Sequence, residues 1–109
     1  MKSYRKSLPP LDSLLFFNAV ANNRNLNSAA EELFVTQAAV SKRIQRFEEW
    51  LGTPLFSRDG RALQITEAGT SLAADVEIAL DFLERAIDKV KAPEQPVVRI
   101  AANAAVSMF

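Results

Sequence analysis

Thr36, Gln37, Ala38, Ser41, Lys42 and Gln45 are spaced so that a helix would gather hydroxyls, amides, a methyl group and an ammonium on one face. Those groups suit the edges of base pairs. An amide can bond adenine twice, a methyl can touch thymine, Lys can donate to guanine, and a hydroxyl can serve base or phosphate. Between Val35 and Phe47 lie three basic residues, Lys42, Arg43 and Arg46, and no acid. Glu48 and Glu49 begin where a helix entering a groove should leave it. Further on, Arg58 and Arg61 flank Asp59-Gly60 and could reach phosphate or a minor groove. Taken alone, the spacing fits a solvated amphipathic face equally well, and the two later arginines fit surface solubility.

Other chemistries are excluded or weak. The chain contains no Cys and no His, so thiolate and imidazole metal sites and His-based catalytic dyads cannot form. Three glycines are too few for a Gly-rich phosphate cradle. The only enzyme-like candidates are unpaired carboxylates and hydroxyls such as Glu31, Glu32 and Ser41, and capping or surface roles explain these. No catalytic residue, metal or cofactor is expected.

The elements that must position the basic face can be read from caps and periodicity. Pro9 and Pro10 close a polar, basic tail. Asp12 is a plausible N-cap for a helix over about 12–23, with Leu14, Leu15, Phe17 and Val20 or Ala21 as its apolar side. Asn22-Asn23-Arg24-Asn25 breaks it. Asn27 then caps a helix over about 28–34, in which Ala29, Ala30, Leu33 and Phe34 are apolar. Thr36 caps a third, about 37–51, with Val35 and Val40 as a hydrophobic staple. Val40, Ile44, Phe47 and Leu51 form its buried stripe, and Gly52 ends it. Two short helices around a tight turn suggest a helix-turn-helix, whose second helix would lie in a major groove. Asp59-Gly60, between segments 54–58 and 61–65, signals a hairpin with Leu55, Leu63 and Ile65 on one face. The fold class is therefore mainly α: three helices plus a two-stranded wing.

A long helix follows, about 66–91, near 39 Å at about 1.5 Å per residue. Leu72, Val76, Ala79, Leu83, Ala86 and Val90 repeat at alternating four- and three-residue steps, and Leu80 and Ile87 widen the stripe. Three arrangements would bury it: packing on its own winged domain, a parallel coiled coil, or an antiparallel dimer. Glu67, Asp75, Glu77, Asp81 and Glu84 precede a basic end with Arg85, Lys89 and Lys91. Antiparallel pairing would set the acidic part of one helix beside the basic end of the other, which favours that arrangement.

Charge supports a division of labour. The 109 residues carry 13 Lys+Arg and 13 Asp+Glu, formally neutral. Yet residues 1–65 hold nine basic groups against six acids, and residues 66–109 hold four against seven. Hydrophobic residues at 49% and charged residues at 24% are ordinary globular values. Met1-Lys2-Ser3-Tyr4-Arg5-Lys6 is basic like a signal n-region, but Pro9, Pro10 and Asp12 follow and no apolar core appears. A cytoplasmic protein without a membrane segment is expected.

The run from Ala29 through Thr36-Gln37-Ala38-Ala39-Val40-Ser41-Lys42-Arg43-Ile44 closely resembles the DNA-binding signature of LysR-type transcriptional regulators. So do Phe47-Glu48-Glu49-Trp50-Leu51-Gly52, Leu55-Phe56-Ser57-Arg58 and Leu63-Gln64-Ile65-Thr66-Glu67-Ala68-Gly69. The resemblance spans about Leu8 to Leu83, and Leu8-Pro9-Pro10-Leu11 is similar to the glycine-cleavage-activator-like subgroup. It implies sequence-specific binding of double-stranded promoter DNA, with base readers at Gln37, Ala38, Ser41 and Lys42. Phosphate contacts are implied near Asn27, Thr36 and Arg43, with Gln45 and Arg46 further along the helix and the wing at Arg58 and Arg61. Two departures stand out. Asn27-Ser28 replaces the frequent hydroxyl-then-basic pair, and Lys42 replaces a common Arg or His, which alters guanine recognition. The resemblance also implies a homodimer through the long helix, higher oligomers of the full-length protein, and a small-molecule inducer bound by a C-terminal effector domain. On that basis residues 1–65 are the DNA-binding domain and 66–91 the linker and dimerisation helix. Residues 92–109 are the hinge and first strand, Val97–Ile100, of a truncated effector domain. The alternative is a winged protein-interaction module that binds no DNA.

Overall fold

The computed structural model describes residues 3–59 and 62–93. The elements are α1 (Leu11–Asn23), α2 (Leu26–Leu33), α3 (Gln37–Leu51), β1 (Phe56–Asp59), β2 (Ala62–Ile65) and α4 (Glu67–Val90). The mainly helical winged fold matches expectation, and two helix starts do not. Pro10, not Asp12, stands at the head of α1 with no side-chain cap, while its carbonyl accepts from Ser13 N at 3.0 Å. Asp12 lies inside the first turn, where a carboxylate meets the positive end of the helix dipole. α2 starts two residues earlier than predicted. Asn25 has extended backbone, and its side chain accepts from Ser28 N at 3.0 Å, so it takes the capping role assigned to Asn27. The early start turns Leu26 toward the core.

The turn between α2 and α3 closes with Val35 N donating to Ala30 O (3.0 Å) and Phe34 N donating to Glu31 O (3.3 Å). This pairing satisfies the last carbonyls of α2 and puts Phe34 in the left-handed region at φ 58°. Phe34 is consequently not an apolar residue of α2 turned inward. It is 94% exposed. α3 has the predicted bounds: Thr36 Oγ1 accepts from Ala39 N at 3.1 Å, and Gly52 ends the helix at φ 75°.

Phe17 of α1 is the centre of the core. Its ring meets Phe47 edge-on at 5.9 Å between centroids and tilts against Phe56 at 5.6 Å. Val20, Ala29, Val40, Ile44 and Leu55 surround it. Leu15, expected inside, is exposed. β1 and β2 pair antiparallel, and Asp59 pairs with Ala62. Asp59 thus belongs to a strand and not to the hairpin tip. Gly60 and Arg61 lie outside the described residues.

α4 begins on a cap that ties it to the wing. Thr66 Oγ1 accepts from Gly69 N (3.0 Å) and donates to Pro54 O (2.9 Å), while Thr66 N donates to Leu55 O (2.9 Å). The first half of α4 then packs on α1. Val76 is buried, and Leu72, Ala73 and Leu80 are partly buried against the core. Three residues of the presumed dimer stripe, Leu72, Val76 and Leu80, therefore already have partners within the monomer. Beyond Val76 the helix leaves Ile78, Phe82, Leu83, Ile87 and Val90 exposed. Among the described residues, no helix is long and apolar enough to cross a membrane. The predicted strand at 97–101 lies outside them.

Candidate nucleic-acid interface

Burial of Val40, Ile44 and Phe47 fixes the rotation of α3. The opposite side must then face solvent, and it carries Gln37, Ala38, Ser41, Lys42, Gln45 and Arg46, all exposed. Thr36 is exposed too, but its hydroxyl is already engaged in capping. Arg43 departs from the row. It sits at the edge of the buried stripe, half-buried, with its guanidinium carbon 5.3 Å from the centroid of the Phe16 ring. A cation held over an aromatic face is fixed in direction. The stripe pattern could not show this, because Phe16 comes from another helix.

The wing stands beside α3, and a groove of about 280 Å³ runs between them. Ser41, Gln45, Arg58, Phe56 and Leu63 contribute to its lining. A second groove of about 280 Å³ continues around the start of α3 and is lined by Arg24, Asn27, Gln37, Arg58 and Leu63 among others. The structure thus brings Asn27, Gln37, Ser41, Gln45 and Arg58 to one side of the domain.

Sequence reasoning missed the residue that holds the wing in place. Glu48 Oε2 accepts from Leu55 N at 2.7 Å and from Phe56 N at 3.0 Å, so one carboxylate of α3 grips the first residues of the wing. Only its place in the exit turn of α3, a few residues before Leu55, hinted at this. Glu48→Ala should leave two part-buried N–H groups without partners and destabilise the fold by about 2–4 kcal/mol. Chemical denaturation would measure this. Unchanged stability would mean that the wing is held by its apolar contacts alone.

A helix-turn-helix with a basic, exposed second helix, a wing pinned to that helix and a long helix leading away defines a class: winged helix-turn-helix domains. The family assignment follows from comparison. Residues 11–70 match the family described as bacterial regulatory helix-turn-helix protein, lysR family, and the chain belongs to that family. It is 46% identical over 87 residues to the glycine cleavage system transcriptional activator of Escherichia coli (strain K12), covering 80% of this chain and 28% of that protein. It is 42% identical over 85 residues to the homologous activator of Haemophilus influenzae, covering 78% and 28%. The chain spans 28% of the length of these relatives. Among solved structures, a probable transcriptional regulator of Pseudomonas aeruginosa superposes with a TM-score of 0.72 at 34% identity, covering 81% of this chain and 29% of that one. The CbnR DNA-binding domain, solved in complex with DNA, gives 0.68 at 31% identity, covering 74% and 93%.

Proposed function

We propose that this chain is the DNA-binding part of a bacterial transcription regulator and recognises a specific duplex sequence as a homodimer. The observation that carries the reading is the exposed row Gln37, Ala38, Ser41, Lys42 and Gln45, of which Gln37, Ser41 and Gln45 line grooves shared with Arg58 of the wing. The DNA complex of the CbnR domain supports it, because that neighbour superposes on 74% of this chain. Gln37, Ala38, Ser41 and Lys42 act as base readers. Asn27, Thr36, Gln45 and Arg46 flank them, and Arg43 serves phosphate from its station on Phe16. Arg58 and Arg61 are the wing contacts. Dimerisation uses the exposed part of α4, and inducer binding belongs to a further domain of the longer regulator. The protein-interaction alternative has no observation of its own in the structure. No enzymatic activity is proposed.

The test begins with selection of bound sites from random duplex DNA. On the selected site, Gln37→Ala should cost about 1–3 kcal/mol of affinity and little on random DNA. With about three phosphate contacts per subunit, log K should fall against log salt with a slope near −5 for the parent dimer. Equal loss on both DNAs would reduce Gln37 to a positioning role. A flat salt response would sink the nucleic-acid reading.

A further inference from the structure

The connection between α1 and α2 carries a cation that the sequence pattern left out of the interface. Arg24 adopts the left-handed conformation at φ 55° and ψ 25°, with its N–H on Val20 O at 2.8 Å. Its neighbours fix that corner. Asn23 Nδ2 donates to Ala19 O at 2.7 Å and to Glu32 Oε1 at 2.9 Å, and Asn25 caps α2. The Arg24 side chain therefore leaves a constrained backbone and lines the same groove as Arg58, together with Asn27 and Gln37. Among the described residues no carboxylate lines this groove, and neither arginine forms an ion pair. Two like charges bordering one polar groove repel each other until an anion lies between them.

We propose that Arg24 and Arg58 together clamp one phosphodiester of the DNA backbone, beside the base that Gln37 reads. The inference rests on the DNA-binding reading above and adds Arg24 to it as a contact residue. A guanidinium presents paired N–H groups that match two phosphate oxygens, so two arginines can hold one phosphate from two directions. That phosphate would be fixed relative to Gln37, setting the register of α3 along the groove.

The experiment uses the full chain and its selected duplex, with affinity measured across salt concentrations and by phosphate ethylation interference. Arg24→Gly removes the side chain and keeps the left-handed corner unstrained. Arg24→Asn, which also tolerates this conformation, guards against a folding artefact. Each should bind about tenfold more weakly at moderate salt, with a slope for the dimer shallower by about 1.8, one phosphate being lost per half-site. Arg58→Ala should do the same. The double variant Arg24→Gly/Arg58→Ala should also be shallower by only about 1.8, because the same one phosphate per half-site is lost in every case. One ethylated phosphate per half-site should block the parent and make no difference to either single variant. Parent-like affinity and slope in Arg24→Gly would overturn the proposal. So would a double variant shallower by about 3.6, which would mean two separate phosphates per half-site. If the parent itself fails to bind duplex DNA, the DNA-binding reading falls first and the clamp with it.

Discussion

Gly69→Ala should destabilise the winged domain by about 2–3 kcal/mol, although the same change inside an exposed helix normally stabilises by up to about 1 kcal/mol. The reversed sign comes from geometry. A Cβ at residue 69 would run into the Leu55 carbonyl oxygen, and it would stand 2.8 Å from Ile65 Cγ1. The Ile65 side chain could yield. The carbonyl is fixed, because it accepts Thr66 N–H at 2.9 Å in the step that joins the wing to α4. Accommodating the methyl group would lift the first turn of α4 off the wing and strain the Thr66 cap. Urea denaturation would read the loss directly. Gly52→Ala supplies the contrast: nothing lies within 4 Å of an added Cβ there, so only the φ of 75° is penalised. That costs about 1 kcal/mol. A Gly69→Ala protein as stable as the parent would show that α4 is free to shift, and that its first turn does not fix the direction in which the long helix leaves the domain.

The sequence was legible where one cap or one period decided the outcome, and it was ambiguous where several residues could do the same job. Thr36 and Gly52 are the only good capping residues at their ends of α3, and both bounds agree with the structure. At α2 the stretch Asn22-Asn23-Arg24-Asn25 and Asn27 offers several equivalent caps. Burial of Leu26 selects Asn25, a tertiary fact that no local rule contains. Pro10 displaces Asp12 for a similar reason, since its fixed φ of −57° already suits a helix start. The wing appeared in the alternation of Leu63 and Ile65. Its attachment through Glu48 did not, because a carboxylate that binds backbone N–H groups leaves no pattern of residue types. Arg43 and Arg24 illustrate the same limit from two sides. Arg43, expected at phosphate, is held against Phe16 of another helix, which no spacing within α3 shows, and Arg24, a lone Arg in an Asn-rich break, looks in sequence like solvent-facing loop.

The long helix shows how far periodicity goes and leads to the second large effect: Phe82→Asp/Leu83→Asp should convert a dimer into a monomer. The apolar stripe of α4 forms one continuous seam in the sequence, yet its first half packs on α1. What remains outside is Ile78 (67% exposed), Phe82 (65%), Leu83 (46%), Ile87 (54%) and Val90 (83%). Ile78 and Phe82 were missed because they lie to one side of the original four-three rhythm. Half-burial of these five side chains contributes about 1 kcal/mol each, on the order of 10 kcal/mol for two copies. Association costs about 4–15 kcal/mol, and at the low end of that range about 6 kcal/mol remains, a Kd on the order of tens of micromolar. Antiparallel pairing adds attraction between Asp75, Glu77 and Asp81 of one helix and Arg85 and Lys89 of the other. Two aspartates at positions 82 and 83 would place four carboxylates in or beside that seam, where burial without partners is costly. The core around Phe17, Val40 and Leu55 is untouched, so thermal unfolding of the winged domain should persist. Sedimentation at tens of micromolar should show a dimer for the parent and a monomer for the variant. The variant should also bind the selected duplex more weakly, since one half-site contact is lost. A parent that sediments as a monomer would mean that α4 does not dimerise this chain by itself and that the longer regulator supplies the contact elsewhere.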